Sequence, residues 1–178
     1  TAEVADFKAS VHGIALAAGV RDAPTCTDCH SEHNIKSLKT VESARHISED
    51  VCSRCHASER INTKYNLPGD RVKTFFDSYH GLASQYGSTV AAHCGSCHGN
   101  HKILPSTNQA SSIHKTHLVE TCGKCHPGAN ENFAFSKVHV DIASAKTAGG
   151  DIGVRINWWA RKLYVVMIAV VDRKSTRL

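Results

Sequence analysis

The sequence predicts a mainly α-helical chain with extensive irregular loops, built from two repeats of one unit. Strand signals are nearly absent, because the branched and aromatic residues before the C-terminal segment are scattered in short pieces. All eight cysteines fall in four short motifs of one form. The segments that flank these motifs occur once in the first half of the chain and again in the second.

The four cysteine motifs each read Cys-x-x-Cys-His. This spacing suits covalent haem, because two thiols add to the two vinyl groups of one haem and the adjacent histidine binds iron as the proximal ligand. A zinc ribbon has no use for histidine at that position, and no βαβ pattern supports thioredoxin-like redox pairs. We therefore predict four covalently attached haem c groups, held by Cys26, Cys29, Cys52, Cys55, Cys94, Cys97, Cys122 and Cys125, with His30, His56, His98 and His126 as proximal ligands.

The repeat is clearest before the first and third motifs, where FKASVHGIA at 7–15 matches FFDSYHGLA at 75–83. The offset is 68 residues (80 − 12) between His12 and His80, and it grows to 70 (122 − 52) by the second motif of each unit. We expect a first dihaem unit at 1–70 and a second at 71–147, joined through the polar stretch 61–74. Residues 148–178 would form a hinge and a membrane-proximal segment.

A low-spin haem iron needs a sixth ligand, normally His or Met. Met167 is the only methionine and lies in an apolar run, so histidines are predicted. His12 and His80 are the best candidates for the first haem of their units. His33 and His101 follow a proximal histidine by three residues, too few to reach the far face of the same haem, so each is expected to ligate the neighbouring haem.

Three further histidines are alternatives. His46 and His114 precede the second cysteine pair of their units and could cap the second haem instead. His139 has no counterpart in the first unit and could serve the last haem or a haem beyond this chain. His93 and His117 are expected to contact propionates or solvent.

Short helices are expected around the motifs, at Glu42 to Cys55, Phe75 to Tyr86 and Ser112 to Cys125. Four haems would supply the apolar core that the side chains do not, so the haem-free chain is expected to be largely unfolded.

The formal charge of +5 would ordinarily favour an anionic partner. Haem propionates would offset this charge, and no basic block interleaved with aromatics precedes residue 155, so no nucleic-acid partner is expected. In the C-terminal segment, Trp158 and Trp159 lead into the apolar run Leu163–Val171. That run is shorter than the roughly 20 residues that span a bilayer. It is therefore either a surface or docking helix or a truncated transmembrane helix.

The chain resembles the low-potential multihaem cytochrome c family, in particular periplasmic haem domains that precede a membrane anchor in bacterial respiratory complexes. The resemblance covers residues 7–139 and rests on the two S-x-H-G elements and on CTDCHSEH, CGSCHGNH and TCGKCHPGA. The family usually has Gly after the first motif, as at Gly99, where this chain has Ser31 in its first unit.

The resemblance implies an electron carrier rather than an enzyme, which would relay electrons between membrane quinol and soluble or extracellular acceptors. It also implies a location outside the cytoplasm. The carrier could be a monomer or an oligomer. Its partners would be redox proteins, including a membrane quinol-oxidising subunit. Two alternatives stay open: a multihaem reductase with one open iron, and a subunit of a polymeric haem filament.

Overall fold

The computed structural model describes residues 1–33, 46–141 and 152–175. They belong to two compact units, Thr1–Val138 and His139–Leu178. The first compact unit contains all of the predicted first dihaem unit, 1–70, and residues 71–138 of the predicted second one, 71–147. A backbone hydrogen bond shows the connection between the repeats, since Val11 N donates to Ile103 O at 3.0 Å.

The fold is mainly α-helical, as predicted, and the described residues contain no β-strand. The helices are short except for the last. A π-helical turn, π1, precedes α4 directly. In chain order the elements are α1 Ala2–Ala9, α2 Val11–Ala17, α3 Cys26–His30, π1 Ile47–Cys52, α4 Ser53–His56, α5 Glu59–Lys64, α6 Arg71–Phe76, α7 Tyr79–Gln85, α8 Cys94–His98, α9 Leu118–Gly123, α10 Glu131–Ala134 and α11 Ile152–Ser175.

The first and third cysteine motifs each form one complete short helix, α3 and α8. Helix α3 is capped at its start by Thr25, whose backbone N–H donates to Asp28 Oδ2 at 2.7 Å. Both helices end at a residue with positive φ, 65° at Ser31 and 76° at Gly99. The Ser31 departure from glycine therefore keeps the same backbone geometry, at a conformational cost that glycine does not carry.

The S-x-H-G elements separate two helices in each repeat. Ser10 and Ser78 are N-caps whose Oγ accepts from the backbone N–H of Gly13 and Gly81, at 3.1 and 3.3 Å. The prediction of one helix over Phe75 to Tyr86 was wrong, because α6 ends at Phe76 and Ser78 is the N-cap of a new helix, α7.

The other two predicted helices differ in extent. Residues 42–45 lie outside the described part of the chain, and the observed helical segment runs from Ile47 to His56. The helix expected from Ser112 is confined to Leu118–Gly123, because the preceding serines bond elsewhere. Ser111 Oγ donates to Leu104 O at 3.1 Å, and Ser112 Oγ donates to Cys97 O at 2.5 Å.

Few apolar side chains are buried in the described part of the first unit. They are Phe75, Leu104 and Ala134, whereas the buried polar side chains are more numerous: Ser10, Asn62, Thr74, Ser84, Ser111 and Thr121. Three apolar side chains cannot supply the burial that a unit of this size normally needs. The packing is thus consistent with a core completed by something other than side chains.

The C-terminal unit contains the helix α11. Its Trp158 and Trp159 rings lie edge to face with centroids 4.9 Å apart, and Lys162 Nζ lies 5.5 Å from the Trp158 ring. Its apolar side chains from Leu163 to Ile168 are exposed. In the parts of the chain described above, no helix has both the length and the hydropathy needed to cross a membrane. The glycines of the expected hinge, Gly149 and Gly150, lie outside the described residues.

Candidate functional site

Three pairs of histidines face each other at nearly the same separation. Ring centroids are 6.1 Å apart for His12 and His56, 6.0 Å for His30 and His101, and 6.0 Å for His80 and His126. Each pair joins the histidine of one Cys-x-x-Cys-His motif to a histidine from outside that motif. At three places, the structure thus brings a predicted proximal ligand together with a predicted distal ligand.

This separation matches two imidazoles on opposite sides of one metal ion. An imidazole nitrogen lies about 2.0 Å from a bound metal, and a further ~1.1 Å separates that nitrogen from the ring centre, so two axial rings should be about 6 Å apart. A direct hydrogen bond would bring the rings closer than this. The observed pairs therefore fit the ligand set of a six-coordinate haem iron, with paired thiols beside each proximal histidine.

The two S-x-H-G elements position His12 and His80 in the same way. Each histidine lies in the first turn of a helix whose start is fixed by the serine cap. The following glycine permits the close approach of the preceding helix, since a Cβ at Gly81 would lie 2.2 Å from Phe75 O and one at Gly13 2.1 Å from Phe7 O. The repeat thus gives the two predicted ligands the same position at the start of a helix.

Both of these imidazoles are half-buried, and burial lowers their pKa. The positive charge of the facing ring lowers the pKa of His12 and His80 further, through His56 and His126 respectively. Both rings therefore favour the neutral form near neutral pH. Neutral imidazole is the form that binds a metal.

The pairing differs from the sequence-based assignment. His12 and His80 were expected at the first site of their units, but they face His56 and His126, the histidines of the second motif in each unit. His101 was expected at the neighbouring site of its own unit, but it faces His30 of the other repeat. The Val11–Ile103 hydrogen bond also joins the two repeats, since it holds the segment after His101 against the start of α2.

The remaining predicted ligands lie as follows. His33 is exposed three residues after His30, and His98 is half-buried at the end of α8. His46 contacts Asp50 through Nδ1, and His114 Nδ1 lies 2.7 Å from Thr116 Oγ1. His139 begins the second compact unit.

Two histidines expected to be non-ligands have different surroundings. His117 Nε2 donates to Gln109 O at 2.9 Å. The other ring nitrogen, Nδ1, lies 3.7 Å from Glu120 Oε2. His93 has a buried Nδ1 for which the described residues offer no hydrogen-bond partner. A propionate oxygen would satisfy such an atom.

The eight cysteines differ in exposure. Cys26, Cys29 and Cys125 are exposed, and the others are half-buried. The Cys52 thiol is within hydrogen-bonding reach of the Cys94 thiol, which together with burial raises the pKa of Cys52. Within the described ranges, no group of three or more His, Cys, Asp or Glu side chains is arranged to hold a metal ion by itself.

Sequence reasoning missed several contacts that position the motifs. Arg54 Nη2 donates to Asp28 O at 3.0 Å, Glu49 Oε1 accepts from Ser84 Oγ at 2.5 Å, and Asn62 Nδ2 donates to His56 O at 2.9 Å. No local pattern marks these residues, because each contact joins segments whose approach depends on the tertiary fold.

Comparison with known proteins gave no significant match, either to a family model, to a curated protein or to a solved structure.

Proposed function

We propose that this chain is a tetrahaem c-type cytochrome that relays electrons through closely spaced haems with histidine on both faces. The observation that carries the proposal is the recurrence of a 6.0–6.1 Å separation between a motif histidine and a second histidine at three sites. A fourth pair, His114 and His117, has ring centroids 6.4 Å apart but contains no motif histidine, so the pairing of a motif histidine with a second histidine sets the three sites apart.

Each site would use three kinds of residue. The cysteine pairs would bind the haem edges covalently, the motif histidines would bind iron on one face, and His12, His80 and His101 would bind it on the other. For His98, the repeat assigns His33, because His33 is the equivalent of His101 and His98 is the equivalent of His30. His139 is the alternative ligand for that site.

Electron relay is favoured over catalysis because a second histidine at each site would leave a bound iron no open position for a substrate. His12 and His80 occupy equivalent places in the two repeats, so neither second site is distinguished as a reactive one. Covalent haem is attached outside the bacterial cytoplasm, as the family resemblance implies, so we place the protein there, with redox proteins and a membrane quinol-oxidising subunit as partners.

Spectroelectrochemical titration of the matured protein, combined with low-temperature electron paramagnetic resonance, tests the proposal. A relay requires reversible one-electron transitions and four low-spin ferric sites. A stoichiometric high-spin site that binds nitrite or hydroxylamine would favour the reductase alternative instead. The C-terminal segment does not affect this test, since no predicted ligand follows His139.

A further inference from the structure

The histidines of the second and fourth motifs, His56 and His126, are equivalent in the repeat. They are 70 residues apart (126 − 56), and each faces the histidine of an S-x-H-G element. The segments that follow them nevertheless fold differently. Helix α5 begins at Glu59, three residues after His56, whereas α10 begins at Glu131, five residues after His126.

A turn after the fourth motif delays the start of α10. The motif is followed by Pro127 and Gly128, and Gly128 has a φ of 83°, which a right-handed helix does not accept. The corresponding residues after the second motif are Ala57 and Ser58, and Ser58 is already the N-cap of α5. Different residues of the two segments therefore lie beside the motif histidines.

Beside the second motif lies a buried amide. Asn62 of α5 is 5% exposed, and its Nδ2 donates to His56 O at 2.9 Å. The turn after α5 covers it, since a Cβ at Gly69 would lie 3.6 Å from Asn62 Nδ2. Asn62 Oδ1 is also buried, and none of the described residues donates a hydrogen bond to it. Because a buried amide oxygen is costly to leave unpaired, a donor is missing next to His56.

His56 itself would supply that donor when it binds iron. A metal binds neutral imidazole through one ring nitrogen, so the other nitrogen keeps its proton. With Nε2 on the iron, Nδ1–H of His56 needs an acceptor, and ligating histidines usually donate this hydrogen to a nearby oxygen. Asn62 Oδ1 belongs to the amide that already contacts His56 O, so it is suited to this bond.

The fourth motif has an aromatic ring in place of the amide. Asn132 is the counterpart of Asn62 in the repeat (62 + 70), but it is exposed. The ring of Phe133 instead lies against His126, with centroids 4.9 Å apart and planes 52° apart. Its counterpart in the first repeat is Thr63 (133 − 70). A phenyl ring has no oxygen or nitrogen with which to accept a hydrogen bond from His126.

We propose that Asn62 and Phe133 give these two otherwise equivalent haem sites different reduction potentials, with the lower potential at the second motif. This inference rests on the proposed function. An acceptor on Nδ1–H makes the imidazole a stronger ligand and stabilises ferric iron. An apolar ring beside His126 favours the ferrous state, in which the iron and the four ring nitrogens carry no net charge. Both are positioning residues, since each acts through a histidine.

Spectroelectrochemical titration of the matured full chain tests the role of Asn62, after the haem content of each variant has been measured. Asn62→Ala should raise one of the four midpoint potentials and leave the other three unchanged. Asn62→Asp keeps an acceptor of nearly the same shape, so it should leave that potential unchanged or lower it. Asn132→Ala is the matched control and should leave all four potentials unchanged, because Asn132 is exposed.

Phe133→Ala tests the other half of the proposal. It should lower a different midpoint potential, one that in the wild type lies above the potential that Asn62→Ala raises. If Asn62→Ala shifted no potential, or if Asn62→Asp raised the same potential equally, Asn62 would have only a structural role and the inference would be overturned. A shift of one and the same transition by Asn62→Ala and Phe133→Ala would also overturn it. Those results would leave the electron-carrier proposal intact, whereas protein without covalent haem would contradict both.

Discussion

The imidazole of His101 lies 6.0 Å from that of His30, with the two ring planes 18° apart, although the residues belong to different repeats. Under the proposed function, the site that contains the first motif would take one ligand from each half of the chain. The two remaining pairs each stay within one repeat, so the contact between His30 and His101 is the one of the three that joins the repeats.

Replacing His101 with alanine should remove the sixth ligand of one iron and keep the haem, because Cys26, Cys29 and His30 remain. The matured variant should contain the wild-type number of haems, one of them high-spin by electron paramagnetic resonance. His117→Ala is the matched control, since His117 contacts a backbone carbonyl. A fully low-spin His101→Ala protein would refute the assignment.

The ligand for His98 can be assigned with a pair of variants. His33→Ala should also produce one high-spin site, because the repeat makes His33 the counterpart of His101. His139→Ala should leave all sites low-spin. If His139→Ala produced the high-spin site and His33→Ala did not, His139 would be the ligand that faces His98. The second repeat would then provide a ligand to the first repeat without receiving one from it.

Replacing the glycine of the S-x-H-G element with alanine should lower the stability of the protein more than replacing its serine does. Gly81→Ala places a Cβ 2.2 Å from a backbone oxygen that cannot move freely, which should cost about 3 kcal/mol or more. Ser78→Ala removes an N-cap and should cost about 1 kcal/mol. Thermal unfolding of the holoproteins measures both effects.

Gly123→Ala is the control for that series. The described residues place no atom within 4 Å of a Cβ at this position, and the same motif position is occupied by Thr27 and Ser53 elsewhere in the chain. Its unfolding temperature should be unchanged or slightly raised. Equal losses for Gly81→Ala and Gly123→Ala would show that close approach of the helices is not the reason for the glycine.

The helical class, the location of the motifs and the equivalence of His12 and His80 could be predicted from the sequence, because each depends on local spacing or on the repeat. The partner of each histidine could not, because spacing along the chain does not show which proximal histidine a ligand will face. The break at Ser78 was also missed, although S-x-H-G carried its signal: the serine is a strong cap and the glycine marks close packing.

Stability should depend on Asp22 at acid pH. Hydrogen bonds from Arg60, Lys64 and Tyr65, together with the charge of Arg60, hold the pKa of the Asp22 carboxyl far below its ordinary value of 3.8. A lowered native pKa contributes stability above pH 3.8, and that contribution is lost as pH falls below this value. Asp22→Asn should therefore destabilise the protein most near neutral pH.

Denaturant unfolding at pH 7 and at acid pH measures this dependence, with Asp77→Asn as the control. Asp77 has an exposed ion pair with Lys73, which should contribute little. The stability difference between the wild type and Asp22→Asn should shrink as the pH drops below 3.8. A difference that stays constant or grows on acidification would exclude this role for Asp22.

Glu49 should lower the reduction potential of the proposed haem at the second motif, which π1 leads into. Glu49 lies in π1, and its carboxylate accepts a hydrogen bond from Ser84. A nearby negative charge stabilises the oxidised, more positive state of a site. Glu49→Gln should therefore raise at least one midpoint potential in a spectroelectrochemical titration. Glu59→Gln is the control, and it should change the potentials less because Glu59 is exposed. An equal change in both variants would contradict a local effect of Glu49 on the potential.

The haem-free chain should be largely unfolded, because the described part of the first unit buries only Phe75, Leu104 and Ala134 as apolar side chains. Protein produced without the cytochrome-maturation system should show little helical circular dichroism and no cooperative thermal transition. A spectrum like that of the matured protein would mean that side chains alone suffice to form the core.

The most direct test of the central claim is pyridine haemochrome quantitation together with an intact mass, on protein matured in a host that attaches haem c. Four covalent haems per chain are predicted, one for each pair of cysteines. Colourless protein, or protein that holds zinc in place of haem, would contradict the account.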